Sequence, residues 1–143
     1  MTKSSTHLSD AHVLVIDDDP ESQFLVCTLL KRAGIRTTSA HTAVEGRHLL
    51  EQEDFHLLIL DGILPDMDGL DLLEILRQDT RFDDLPILIL SGRADPGVID
   101  RALELGADSC LIKPCLPRKL RQQVISILAR QRRQTPLSDT TCG

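Results

Sequence analysis

Five short apolar runs, each followed by a segment with helical periodicity, constrain this chain more than any other feature. The runs cover residues 12–16, 35–39, 57–60, 87–90 and 109–112. They lack the apolar–polar alternation of a half-exposed sheet and so read as strands buried on both faces, the habit of parallel sheets. The first helical segment starts near Pro20, with Asp19 as N-cap and proline at the first helical position. It places Phe24, Leu25, Thr28 and Leu29 on one face and stops at Gly34. The second, about 43–52, is expected to bury Val44, Leu49 and Leu50. The third follows Gly69 with Leu72, Leu73, Ile75 and Leu76, and the fourth, about 96–105, ends at Gly106. In the last, Leu116, Leu120, Val124, Ile127 and Leu128 form an apolar stripe. Parallel strands need crossover helices, and five β-α units in one chain of 143 residues imply an α/β domain with helices on both faces of the sheet.

In open sheets of this kind, ligands bind beyond the carboxyl ends of the strands. Strand one ends in Asp17-Asp18-Asp19, strand three in Asp61, strand four in Ser91 and strand five in Lys113-Pro114. Any one of these is weak evidence, because acids commonly cap the helix that follows. Four strand ends with complementary chemistry are a strong signal. Asp17, Asp18 and Asp61 set against Lys113 leave a net charge of about −2. Two like charges about 4 Å apart repel by roughly 4 kcal/mol at a surface-like dielectric, so the cluster calls for a cation. Mg²⁺ suits a site of carboxylates plus phosphate oxygens, and a carboxylate so placed can attack phosphorus. Asp19 fits an N-cap better than a ligand. Turn formation near Gly69 accounts for Asp66 and Asp68 without metal.

Composition narrows the alternatives. Three Phe, no Tyr and no Trp leave almost nothing for base stacking, and a net charge of −6 argues against a nucleic-acid-binding body. Six of the 16 basic residues (Arg118, Lys119, Arg121, Arg130, Arg132 and Arg133) lie close together without an acid, which reads as a solvated helix face. Cys27, Cys110, Cys115 and Cys142 show no metal spacing and read as reduced thiols. The five histidines are scattered and form no ligand motif. The opening MTKSSTHLSDA lacks a signal-peptide core, and no run approaches a membrane span, so a cytoplasmic protein is expected.

The segments VLVIDDDP, LLILDGILPDMDG, ILILSG and CLIKP, in this order and spacing, resemble the receiver domains of two-component response regulators. The resemblance covers roughly Ala11 to Arg133. It implies a flavodoxin-like (βα)5 doubly wound sheet of strand order 2-1-3-4-5 spanning residues 11–133, with flexible segments at 1–10 and 134–143. It also implies a phosphoacceptor role for Asp61, fed by a sensor histidine kinase or a histidine phosphotransfer protein. Mg²⁺ would be held by Asp18 and Asp61, by Asp17 partly through water, and by the backbone carbonyl of Ile63. Ser91 and Lys113 would contact the phosphoryl group, and the Lys113-Pro114 bond is expected to be cis.

Two positions depart from the family. Cys110 stands where the inward-turning aromatic switch residue is usual, and Cys115 stands where Phe often follows Lys-Pro. Switching is therefore expected to run through backbone shifts of the Ser91 loop and the fourth helix, with Ser91 and Cys110 as the switch positions. Ile63, two positions after the acceptor, cannot orient a hydrolytic water, which implies a long-lived phosphoryl state. The chain is expected to act as a switch, not as an enzyme beyond self-catalysed transfer and autodephosphorylation. It would signal through a protein contact on the helix 4–strand 5–helix 5 face, with a homodimer left open and with no nucleic-acid or membrane contact. The alternative is a receiver module cut from a hybrid kinase or multidomain regulator. A flavodoxin would need a hydroxyl-rich loop after strand one. A haloacid-dehalogenase-type phosphatase would need a hydroxyl or β-branched residue where Glu21 stands.

Overall fold

In the computed structural model, residues 10–92 and 96–142 are described, with side chains described through residue 130. Five strands and five helices alternate: β1 His12–Ile16, α1 Pro20–Arg32, β2 Arg36–Ala40, α2 Ala43–Gln52 and β3 Leu57–Asp61, then α3 Gly69–Arg77, β4 Ile87–Ser91, α4 Pro96–Glu104, β5 Ser109–Ile112 and α5 Pro117–Cys142. The strands form one parallel sheet of order β2-β1-β3-β4-β5. This is the flavodoxin-like arrangement that the sequence resemblance implies. The proposed 1–10 segment falls almost entirely outside the described residues. The backbone of α5 continues through the compositional change after Arg133.

Strand side chains alternate between two cores. Leu14, Ile16, Leu58, Leu60, Ile87 and Ile89 pack with the buried faces of α2, α3 and α4. Val13, Val15, Leu57, Ile59, Leu88 and Leu90 pack with Val26 and Leu30 of α1 and with Leu120, Val124, Ile127 and Leu128 of α5. Burying each such side chain contributes about 1.5–3 kcal/mol, so the central strands carry most of the fold. Gly34, at φ +83°, ends α1: its N–H donates to the Lys31 carbonyl in a left-handed turn that side-chain-bearing residues rarely adopt.

Four expectations need correction. β2 begins at Arg36 and is mostly half-exposed or exposed, because it is an edge strand paired only with β1; Ile35 is buried just ahead of it. On α1 the inward face is Gln23, Val26 and Leu30, whereas Phe24 is 70% and Leu25 63% exposed. The helix turns a polar side chain toward the strand ends, where backbone carbonyls need a donor. α2 buries Ala43, Gly46 and Leu50 and leaves Val44 exposed, because it lies so close to β1 that a Cβ at Gly46 would overlap the Ile16 side chain. Leu49 is only half-buried. Leu116 is exposed because it precedes the first turn of α5, so helical periodicity does not apply to it.

Candidate functional site

β3 and β4 end in Asp61 and Ser91, and Asp17 and Lys113 follow directly on β1 and β5, so all four reach one rim. Carboxylate oxygens of Asp17, Asp18 and Asp61 lie within 4.8 Å of one another, with Asp17 and Asp61 buried and Asp18 exposed. Lys113 reaches in from the end of β5, its Nζ 2.8 Å from Asp17 Oδ2 and 3.5 Å from Asp61 Oδ2. The Lys113 N–H also donates to the Ser91 carbonyl at 2.7 Å, so β4 and β5 remain paired up to the site. Ser91 is buried beside Gly62. The Lys113-Pro114 bond is cis, as expected. Ile63 is about half exposed, and its N–H donates to Asp61 Oδ1 at 3.2 Å. Cys110 on β5 is buried in the core, with β4 between it and the strand that carries Asp61, and burial raises its thiol pKa.

The two buried acids sit in opposite electrostatic states. Burial alone would raise the pKa of Asp17. Donors from Lys113, Ser22 and the Asp19 N–H outweigh that effect and hold it below the ordinary carboxylate range. Asp61 is raised to about 6, first by burial and then by the negative charge of Asp17, with Lys113 only partly offsetting both. Burial works against the charged form of Lys113, but Asp17 and Asp61 raise its pKa overall. A buried carboxyl facing a second carboxylate and sharing one lysine is short of positive charge. The donor set of oxygen atoms only, two buried and one exposed, fits a hard divalent cation.

Local structure holds the loop after Asp61 in place. Gly69 N–H donates to the Gly62 carbonyl, Ile63 bridges to Asp68, and Leu64 N–H donates to the Met67 carbonyl. A Cβ on Gly69 would overlap the Asp61 carbonyl oxygen and come within 2.8 Å of Gly62 Cα, so glycine is required there. Asp19 and Asp68 serve as N-caps of α1 and α3. Asp66 does more than make a turn: its two oxygens accept from Ala43 N–H and Val44 N–H at 2.9 and 3.0 Å, tying the loop tip to the start of α2.

Two further residues had not been singled out. Ser22 Oγ donates to Asp17 Oδ2 at 2.7 Å. Gln23, 6% exposed, directs its amide at the carbonyls of Val15, Asp17 and Ala40 at 2.8–3.0 Å. The 23, 26, 30 spacing with Val26 and Leu30 carries a signal for Gln23, since the three share one helix face. Nothing local marks Ser22. Elsewhere, His12 is buried against Phe55 at the opposite end of β1, and His7 lies outside the described residues. Cys27, Cys110 and Cys115 are free thiols. The side chains of Arg132, Arg133 and Cys142 also lie outside the described set.

Residues 13–125 match the family described as response regulator receiver domain. The chain belongs to that family. This receiver domain is 38% identical over 118 residues to the transcriptional regulatory protein GltR of Pseudomonas aeruginosa, covering 82% of this chain and 49% of the relative. It is 36% identical over 122 residues to protein PetR of Rhodobacter capsulatus, covering 85% and 50%. It thus spans about half the length of the curated relatives it matches. Among solved structures, a CheY-like response regulator receiver domain protein from Methanospirillum hungatei superposes with a TM-score of 0.80 at 30% identity, covering 87% of this chain and 98% of that one. A response regulator described as putative, from Chloroflexus aurantiacus, gives 0.79 at 31% identity, covering 83% and 98%. Among the described residues of the receiver domain, no helix is long and apolar enough to cross a membrane.

Proposed function

We propose that Asp61 accepts a phosphoryl group from a sensor histidine kinase or a histidine phosphotransfer protein, and that the phosphorylated domain presents an altered protein-binding face. The observation that carries this reading is the buried Asp61, raised to about 6, within 4.8 Å of Asp17 and Asp18 and opposite Lys113. Asp18 and Asp61 would hold Mg²⁺, with Asp17 contributing partly through water and Ile63 through its carbonyl. When bound, that ion supplies positive charge for the phosphoryl oxygens.

The chain's own residues do the rest. An Asp61 carboxylate oxygen attacks phosphorus and forms the O–P bond as the donor's N–P bond breaks, its electron pair staying on the donor's imidazole nitrogen. Lys113 leaves Asp17 to pair with the incoming phosphoryl oxygens, and the Ser91 hydroxyl donates to one of them. Movement of Ser91 at the end of β4 then biases an existing equilibrium at the α4–β5–α5 face. Ile99 and Leu103 expose apolar surface on α4 for a partner to bind. Cys110, standing where the aromatic switch residue is usual, would report this shift from within β5.

The test is acetyl-phosphate labelling read by intact mass. The wild type should gain one phosphoryl group only when Mg²⁺ is present, and Asp61→Ala should gain none. An equal gain by Asp61→Ala would reject the assignment. Beryllofluoride, a phosphoryl mimic, should shift NMR signals along α4 and α5; an unchanged spectrum there would reject the switch. The half-length match to a transcriptional regulatory protein favours a second reading, in which this domain governs an attached output domain. Analysis of the natural gene product distinguishes the two.

A further inference from the structure

The start of α1 clasps Asp17 from several sides. Ser22 Oγ and Lys113 Nζ both donate to Oδ2, at 2.7 and 2.8 Å, while the Asp19 N–H donates to Oδ1 at 2.9 Å. Below the carboxylate, the buried Gln23 amide holds the Asp17 carbonyl together with those of Val15 and Ala40. The Asp17 N–H donates to the same Ala40 carbonyl at 3.0 Å. Backbone and side chain of this residue are therefore both fixed by α1 and the ends of its neighbouring strands. Asp18, next in the chain, is exposed.

We infer that Ser22 is a positioning residue of the phosphoacceptor site. Its hydroxyl sets the rotamer in which Asp17 holds Lys113 beside Asp61, leaving the oxygens of Asp18 and Asp61 to face the cation. Asp17 is then the lysine's resting partner more than a direct ligand. Without the hydroxyl, the Asp17 carboxylate loses one of the two donors that aim Oδ2. It can rotate about Cβ–Cγ, and Lys113 is drawn onto Asp61, where it competes with the cation. Gln23 fixes the backbone in either case, so the loss is confined to the side chain. The inference rests on the phosphoacceptor reading above.

The test compares wild type, Ser22→Ala and Ser22→Thr in the full chain, using Mg²⁺ uptake by titration calorimetry, the Asp17 carboxyl ¹³C shift in metal-free protein, and thermal unfolding. Partners of this outer kind typically change metal affinity by about tenfold or more when removed. Ser22→Ala should weaken Mg²⁺ binding by about tenfold and move the Asp17 signal, while Ser22→Thr, which keeps the hydroxyl, restores both. Wild-type affinity in Ser22→Ala would overturn the inference. So would equal weakening in Ser22→Thr, which would point to packing alone. If wild type binds Mg²⁺ and labels on Asp61 while Ser22→Ala behaves identically, only this inference fails. If wild type does neither, the phosphoacceptor reading fails with it.

Discussion

Lys113 pairs with Asp17 at 2.8 Å and stands 3.5 Å from Asp61, so the lysine rests on the neighbour of the group it is proposed to serve. Both acids are nearly sealed from solvent, and the lysine is about one quarter exposed. Lys113→Met keeps most of the side chain's length and removes its charge, leaving two buried carboxylates facing each other. The expected result is a loss of about 2 kcal/mol at neutral pH in metal-free urea unfolding, since a buried charge that loses its partner is costly. Labelling of Asp61 at saturating Mg²⁺ should slow by about a hundredfold, the usual loss on removing one transition-state donor. Labelling at the wild-type rate would show that Lys113 is only structural.

Asp61 gives a pH signature of defined sign. Its folded-state pKa, about 6, lies above the ordinary carboxylate value, so between the two the folded protein binds more protons than the unfolded chain. Its contribution to stability is therefore most favourable in acid and is lost as pH rises to about 6. Asp61→Asn removes this penalty. Without metal, it should match the wild type near pH 4 and exceed it by about 1–2 kcal/mol at pH 7.5, below the roughly 3 kcal/mol that a two-unit shift would give. The check is urea unfolding across pH 4–8, and parallel curves for the two proteins would refute it.

Gly69→Ala should damage fold and site together. The added methyl group meets the Asp61 carbonyl and Gly62 Cα, backbone atoms that cannot move aside cheaply. A cost of about 1–3 kcal/mol is expected, as for other overpacked positions. Calorimetry gives the stability change. The acetyl-phosphate rate shows whether the acceptor has moved, and wild-type values in both would mean the loop yields without consequence.

Ile63 bears on lifetime. Its side chain is about half exposed, so Ile63→Asn should fold normally. An amide there can orient a water that isoleucine cannot, and phosphoryl loss should accelerate by about tenfold or more. Intact mass followed over time after removal of acetyl phosphate measures this. Decay of the wild-type label within seconds would contradict a long-lived state.

The central strands and the strand-end chemistry were legible in the sequence because both are local. A run such as LLILD in β3 states its burial and its terminal acid within five residues. The inward face of α1 was not legible. Phe24 and Leu25 outrank Gln23 in hydrophobicity, yet Gln23 is buried because three carbonyls from β1, the turn after it and β2 converge on its amide. Val44 misled for a similar reason: the approach of α2 to Ile16 favours Ala43 and Gly46. The Asp66 contact joins residues more than 20 positions apart, and the Ser22 contact depends on the Asp17 rotamer. No sequence window contains either piece of information.

The tie between Asp66 and α2 has a consequence for the domain in acid. Hydrogen bonds from Ala43 and Val44 hold the Asp66 carboxyl below the ordinary range, while Asp61 takes up its proton near 6. As a metal-free solution is acidified, Asp61 is protonated first, while its loop remains moored to the neighbouring helix. That protonation should therefore be reversible, the neutralising of one carboxyl on a loop whose mooring still holds.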